Sequence, residues 1–177
     1  MFREDIRKFY IMSDAERIER AERFLKNTEL IHAVMGLSGE LGEFIEVLEE
    51  GKDQAIKIEA GDYLHYLNRI IDLLNVGNNI SQCPNVTNRY TTSDLTKRTC
   101  QLVDIIKKNV AYGKKSNPTL LIHSVDMCYE IFTNLIEIQG LTIEDVEAGN
   151  LDKLNARYGD SYSNEKAIKQ LDNKGKV

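Results

Sequence analysis

The sequence predicts an all-α fold, an antiparallel helical bundle, on three observations. Apolar residues recur at spacings of three and four along most of the chain, which is typical of amphipathic helices. Alternating apolar and polar runs, the pattern of half-buried strands, are hard to find. Only 2 prolines interrupt the 177 residues. We therefore expect one bundle domain over residues 1–177, since helices with one apolar face bury that face against other helices.

Residues 1–76 predict three helices. The first covers residues 13–26 and starts with the serine and glutamate spacing of a capping box. The second covers about residues 29–50 and ends at Gly51, and the third covers about residues 53–75 behind a capping aspartate. Their apolar faces are, in order, Ile18, Ala21, Phe24 and Leu25; Val34, Leu37, Leu41, Phe44, Ile45 and Leu48; and Ile56, Ala60, Tyr63, Leu64, Leu67, Ile70, Ile71 and Leu74.

A linker and a second set of helices follow. Residues 77–93 are rich in Asn, Ser, Thr and Gly, which predicts a linker. The second half, residues 94–177, predicts helices at about 94–110, 118–139 and 142–156 and a short helical tail from Ser163.

Composition and charge argue against several classes of partner. The formal net charge is −5 and no lysine-rich tract occurs, so the chain offers no basic surface to a nucleic-acid backbone. No segment approaches the ~18 apolar residues of a membrane span, and MFREDIRKFY lacks the character of a signal peptide. The unrelated spacings of Cys83, Cys100 and Cys128 favour buried free thiols over disulfides or a zinc site. We therefore expect a cytosolic protein that binds neither nucleic acid nor membrane.

Two acidic pairs stand on neighbouring predicted helices. Glu40 and Glu43 are three residues apart on the second helix, and Glu59 and Asp62 are three apart on the third. Side chains at this spacing share a helix face, and the short connection makes the two helices antiparallel neighbours. Four carboxylates in one space repel one another unless a cation neutralises them. Because Mg²⁺ prefers oxygen ligands, the pattern predicts a magnesium site that substrate phosphates complete.

Three glycines surround the first acidic pair. Gly36, Gly39 and Gly42 lie inside the second helix, where each glycine costs about 1 kcal/mol relative to alanine. We expect them to line one side of the helix and to let another helix, a metal or a phosphate approach its backbone. The opposing interpretation is an ordinary surface helix, because 28 acidic residues produce such pairs by chance.

The acidic pairs and their surroundings resemble a known family. ELGE at residues 40–43, fifteen intervening residues, and EAGD at residues 59–62 followed by YLHYL are similar to the signature of the MazG-like all-α nucleoside triphosphate pyrophosphohydrolases. That family includes dimeric dUTPases and dCTP pyrophosphatases. The resemblance implies hydrolysis of a nucleoside triphosphate between its α- and β-phosphates, in nucleotide-pool house-cleaning. It also implies Mg²⁺, or Mn²⁺ in its place, held by catalytic carboxylates at Glu40, Glu43, Glu59 and Asp62.

Other residues resemble the substrate-binding parts of the same family. KKNVAYGK at residues 107–114 is similar to its basic run, and the sequence from Gly149 to Ala167 is similar to its closing segment. Tyr66 and His32 resemble nucleotide-contacting positions, although a core tyrosine and a structural histidine would look the same. His65 is left out because one residue step turns a helix by about 100°. In the two segments the implied binding residues are Lys107, Lys108, Tyr112, Lys114, Asn150, Lys153, Arg157 and Tyr158.

The displaced basic run predicts an internal duplication of a helix pair. In the family this run follows the Glu-x-x-Glu helix, whereas here it lies in the second half. Aligning LVDIIKK with GEFIEVLEE places Arg98 and Gln101 opposite the first acidic pair, and aligning LLIHSVDMCYEIF with IKIEAGDYLHYLN places His123 and Asp126 opposite the second. We therefore expect one metal site, in the first half, beside a catalytically degenerate second half. The alternative is that the halves share only helical-hairpin periodicity.

Two other functions compete with the hydrolase. A carboxylate-bridged di-iron bundle also gathers glutamates, but it needs Glu-x-x-His on two helices, and neither acidic pair has that histidine. The other is a tandem bundle that binds a nucleotide or a partner without hydrolysis. The sequence leaves open which base is preferred and whether the chain is a self-sufficient monomer or a homodimer.

Overall fold

A computed structural model describes residues 11–51, 53–77, 89–159 and 165. Six helices and no strand occur in these ranges, which confirms the predicted all-α bundle. None of these helices has the length and apolar character needed to cross a membrane. Most of the predicted tail from Ser163 and most of the predicted linker lie outside the described residues. The helices are α1 (Asp14–Lys26), α2 (Thr28–Glu50), α3 (Asp53–Leu74), α4 (Thr92–Tyr112), α5 (Pro118–Ile138) and α6 (Ile143–Tyr158).

Local capping explains where the helices begin and end. Ser13 and Glu16 form the predicted capping box, and Gly51 ends α2 in the left-handed conformation at φ 66°. α4 begins two residues earlier than predicted because Thr91 is its N-cap. Asp94, the predicted first residue, instead completes a capping box by accepting a hydrogen bond from the Thr91 backbone at 2.9 Å.

The core lies between two helix pairs, α2 with α3 and α4 with α5. The rings of Phe44, Tyr63 and Phe132 pack together there, with centroids 5.2 to 6.1 Å apart. The hydroxyl of the fully buried Tyr63 hydrogen-bonds to that of Thr99 at 2.9 Å, which satisfies both groups in the core. The predicted apolar face of α3 is buried at every position except its last, Leu74, which is half-buried.

The cysteines follow the prediction only in part. Cys128 is a buried free thiol, and burial raises its pKa to about 12. Cys100 is free but exposed, so the expectation that it is buried is wrong. It lies on α4 one residue after the buried Thr99, and that step turns its side chain away from the core. Cys83 lies outside the described residues.

The first helix packs through polar contacts. None of its residues is buried, and the predicted apolar side stays open, with Ile18 and Leu25 62% and 77% exposed. Arg23 instead donates hydrogen bonds at 3.2 Å to the carbonyl groups of Val110 and Ala111. These carbonyls belong to the last turn of α4, where a cation complements the unpaired acceptors and the helix dipole.

Candidate functional site

Three of the four predicted carboxylates converge. Glu40 and Glu43 on α2 and Glu59 on α3 each place a carboxylate oxygen within 4.8 Å of the others. Glu40 and Glu59 are half-buried and Glu43 is exposed, so the cluster opens to solvent on one side. The spacing of three residues and the antiparallel packing of α2 on α3 produce this arrangement, as the sequence predicts.

The register of α2 against α3 sets which residues meet. Near one end of the pair, the guanidinium of Arg69 donates to the carboxylate of Glu29 at 2.9 Å. Because the helices are antiparallel, each turn forward along α2 meets a turn backward along α3. Tyr66 therefore lies against Gly36, and the acidic pairs meet about one turn further along the interface.

Glu40 has a raised pKa within the cluster. Burial, followed by repulsion from Asp62 and Glu43, raises its pKa to about 7, although Lys153 opposes the change. Its Oε2 atom is buried and accepts no hydrogen bond from any described residue. A buried carboxylate oxygen without a donor is costly unless a proton or a cation satisfies it.

These residues fit a divalent cation of the magnesium type. Mg²⁺ binds oxygen ligands at about 2.1 Å, so its ligands lie within about 4.2 Å of one another. The cluster supplies only oxygen donors, and these lie within 4.8 Å of one another, so small side-chain shifts would bring them into the range of one ion. The unsatisfied Oε2 atom of Glu40 is an acceptor that such an ion would satisfy.

Asp62 has a different partner from the other three carboxylates. Lys153 on α6 forms an ion pair with Asp62 Oδ2. The side chains of Lys153 and Asp62 are only 16% and 15% exposed, so the pair is largely shielded from water. The structure therefore brings Lys153 beside the acidic cluster, and a protein cation occupies one oxygen of the fourth predicted ligand.

Two glycines let α6 approach α3 closely enough for this contact. A Cβ atom at Gly61 would lie 2.8 Å from Cβ of Asn150, and one at Gly149 would lie 2.8 Å from Cε of Lys57. Asn150 is thereby held against α3, where its Oδ1 atom is buried and accepts no hydrogen bond from the described residues. Sequence reasoning missed both glycines, although a glycine inside the EAGD helix was a signal of close packing.

Aromatic rings lie one turn from the carboxylates. The rings of His32 and Tyr66 meet edge to face, with centroids 5.9 Å apart. His65 also meets Tyr66 edge to face, at 5.3 Å, and burial lowers the pKa of its imidazole. Sequence reasoning left His65 out on helix geometry, but its ring reaches Tyr66 across a single residue step.

The three glycines of α2 do not act together as expected. A methyl group at Gly36 would overlap with the ring of Tyr66, whereas one at Gly39 or Gly42 would meet nothing within 4 Å in the described part of the chain beyond its own stretch of helix. The expectation that another helix approaches the backbone at all three glycines is therefore wrong, and the approach of a metal or a phosphate at Gly39 and Gly42 stays a prediction. A step of three residues falls about 60° short of a full helical turn, so the glycines drift away from α3.

The remaining predicted binding residues lie on or just after α4 and at the end of α6, and one of their side chains is not described. Lys107 and Lys108 form exposed ion pairs with Asp104 at 2.6 and 2.5 Å. Lys114 is exposed, as is Tyr112, whose ring lies under the guanidinium of Arg20. Tyr158 is half-buried near the end of α6. The side chain of Arg157 is not among those that the structure describes.

A cavity of about 250 Å³ lies between α2 and α4. Lys107 lines it together with Cys100 and Leu41, and none of the four predicted metal-binding carboxylates does. The structure therefore gathers Asn150 and Lys153 at the acidic site but places Lys107 at a different surface.

Comparisons of the chain with family models, curated proteins and solved structures find no match in any of the three. The likeness to MazG-like enzymes thus rests on the quoted motifs and stays a prediction.

Proposed function

We propose that this protein is a Mg²⁺-dependent nucleoside triphosphate pyrophosphohydrolase. Its substrate is a nucleoside or deoxynucleoside triphosphate, which it cleaves between the α- and β-phosphates to give a monophosphate and pyrophosphate. We place this activity in the cytosol, in nucleotide-pool house-cleaning, in a monomer or a homodimer.

The observation that carries the proposal is the convergence of Glu40, Glu43 and Glu59 around a buried, unsatisfied carboxylate oxygen. A surface helix has no physical reason to bury a carboxylate among others, since this raises the pKa of Glu40 to about 7. A site that binds a cation gains from the same arrangement, because the ion offsets the repulsion.

The residues around the cluster have separable roles in this reaction. Glu40, Glu43 and Glu59 would hold the metal with Asp62, and the bound Mg²⁺ would polarise the α-phosphoryl group and lower the pKa of the attacking water. Lys153 supplies positive charge beside the carboxylates, where phosphate oxygens need it.

Asn150 and Tyr66 extend the site in two directions. Asn150 lies one turn before Lys153 on α6, so both approach α3 from the same helix. Tyr66 lies one turn after Asp62, about 6 Å along α3, which separates the nucleoside contacts from the phosphate contacts.

Product analysis tests the proposal. Purified protein with Mg²⁺ is incubated with a panel of canonical and modified nucleoside triphosphates, and the products are separated by anion exchange. We expect monophosphate and pyrophosphate, no turnover in EDTA, and a large loss in Glu43→Gln. Glu46→Gln is the matched control, since Glu46 is an exposed glutamate on the same helix outside the cluster. Diphosphate and orthophosphate as products would contradict the proposal.

One observation favours a second candidate, a bundle that binds nucleotide without hydrolysing it. The ion pair with Lys153 already neutralises Asp62 without a metal. Recovery of unaltered nucleotide after tight binding, with no turnover across the panel, would favour this candidate over the hydrolase.

A further inference from the structure

Gly36 differs from the other glycines of α2 in what faces it. The ring of Tyr66 occupies the space that a side chain at position 36 would fill, and three ring atoms, Cδ1, Cε1 and Cζ, are its nearest neighbours. Gly39 and Gly42 lie on the same helix, and a Cβ atom at either would meet no atom of the described residues within 4 Å beyond its own stretch of helix. The missing side chain at Gly36 therefore forms a slot between α2 and α3 that the tyrosine ring fills.

The slot has a defined position relative to the acidic cluster. Gly36 is four residues before Glu40 on α2, and Tyr66 is four residues after Asp62 on α3. Residues four apart share a helix face, so the slot and the cluster lie on the same interface about one turn apart. His32 closes the slot on the side away from the carboxylates, through its edge-to-face contact with the ring.

We propose that Gly36 is a positioning residue that fixes the ring of Tyr66 against the backbone of α2 and so sets the nucleoside-contacting surface of the site. The inference rests on the proposed function, because it assigns the slot to the nucleoside part of a triphosphate whose phosphates lie at the carboxylates. Gly36 itself does not touch the substrate. Its effect on substrate passes through the Tyr66 ring.

An alanine at position 36 moves the ring without preventing folding. The overlapping atoms belong to the end of a side chain with two rotatable bonds, which can swing away, and alanine favours the helix more than glycine does. Since the metal-binding carboxylates are untouched, the change should alter substrate binding more than the chemical step.

The test compares Gly36→Ala with Gly39→Ala and Gly42→Ala, the same substitution on the same helix facing open space. Steady-state kinetics use the nucleoside triphosphate that the wild-type protein turns over fastest in the panel. We expect KM to rise on the order of tenfold in Gly36→Ala with kcat changed far less, and no change in Glu46→Ala, an exposed position on the same helix outside the acidic cluster. An unchanged KM in Gly36→Ala would overturn the inference while leaving the hydrolase proposal intact.

Thermal unfolding detects the packing of Tyr66 against position 36 independently of enzyme activity. Gly39→Ala and Gly42→Ala should each raise the melting temperature by about 2–4 °C, because alanine stabilises a helix. Gly36→Ala should fall short of that gain in the wild-type background and recover it in a Tyr66→Leu background, where no ring fills the slot.

The two measurements together give distinguishable outcomes. Equal gains for all three glycine-to-alanine variants in the wild-type background would show that no slot exists and would overturn the inference. A slot seen in melting temperature without a change in KM would make Gly36 a packing residue only, which also overturns it. Absence of both turnover and nucleotide binding in the wild-type protein would refute the proposed function and the positioning role with it.

Discussion

The two helix pairs bury several corresponding positions but differ in the charges between their helices. Under the alignment of the two halves, matched buried pairs include Leu37 and Leu95, Leu41 and Thr99, Phe44 and Leu102, Ala60 and Ser124, Leu64 and Cys128, and Leu67 and Ile131. The buried Ile56 and Tyr63 are matched instead by the exposed Leu120 and the partly buried Met127. The acidic set of the first pair is matched by Arg98, which hydrogen-bonds to Gln101 at 3.1 Å, and by His123 and Asp126. Two amphipathic helix pairs without a common origin would also match at several positions, so the duplication stays a prediction.

The difference in charge between the two helix pairs distinguishes residues required for folding from residues proposed to bind a ligand. The α4–α5 pair packs into the shared core without such an acidic set, so helix packing of this kind does not require the carboxylates of the first pair. Charge also behaves oppositely in the two regions. Burial and repulsion raise the pKa of Glu40 to about 7, whereas hydrogen bonds from Lys107 and Lys108 lower that of the exposed Asp104 to about 2.

The largest effect is expected from matched substitutions at Asp62 and Asp126, which the alignment equates. We expect Asp62→Asn to lower kcat/KM by about 100-fold or more, because it removes a carboxylate of the proposed metal site, and Asp126→Asn to leave it unchanged. Steady-state hydrolysis of the best substrate measures both. Equal losses of kcat/KM in the two variants would contradict the proposal that the site lies on the first helix pair alone.

Removal of Lys153 should destabilise the metal-free protein. Lys153→Met leaves Asp62 as a largely buried charge without its ion-pair partner, which should cost about 2–4 kcal/mol in urea unfolding with EDTA. Excess Mg²⁺ should restore part of the loss, because a cation again faces Asp62. Lys108→Met, which breaks an exposed ion pair on α4, is the control and should have little effect. An equal free energy of unfolding for Lys153→Met and the wild type would show that the ion pair between Lys153 and Asp62 does not stabilise the fold.

A smaller effect is expected from Glu40→Gln, and it depends on pH. The pKa of Glu40 is about 7 in the folded protein against 4.5 for an unperturbed glutamate, so the folded state binds a proton more readily than the unfolded one. Its stabilising contribution is thus complete below pH 4.5 and lost as the pH rises through 7. Because solvent screens part of the repulsion, Glu40→Gln should gain about 1–2 kcal/mol over the wild type at pH 8 in EDTA.

The gain from Glu40→Gln should vanish near pH 4.5, where Glu40 is protonated and neutral. Urea unfolding of both proteins at pH 8 and pH 4.5 measures the difference. An equal gain at both pH values would show that ionisation of the Glu40 carboxylate does not destabilise the folded protein.

The sequence predicts most of the first helix pair and little of how distant helices meet. Capping residues and apolar spacing place α2 and α3 to within a residue, and the acidic spacing brings Glu40, Glu43 and Glu59 together, because these are local consequences of helix geometry. The contact of Lys153 with Asp62 joins residues 91 positions apart. It depends on how closely α6 packs on α3, which helical periodicity does not encode.

Two further features differ from the sequence prediction because they too depend on contacts between different helices. The slot at Gly36 depends on which ring of α3 happens to oppose that glycine, and equally spaced glycines at 39 and 42 face open space. The exposure of Ile18 on α1 could not be read from its amphipathic pattern either, because the pattern predicts an apolar side but not a partner for it.

Metal binding is the measurement that tests the central contrast most directly. Wild type, Glu59→Gln and Asp126→Asn are titrated with Mn²⁺, and free Mn²⁺ is followed by electron paramagnetic resonance. Wild type and Asp126→Asn should bind with the same affinity, and Glu59→Gln should bind at least about tenfold more weakly, because a neutral amide replaces a carboxylate of the proposed metal site. Equal binding by all three proteins, or no binding by the wild type, would contradict a metal site on the first helix pair.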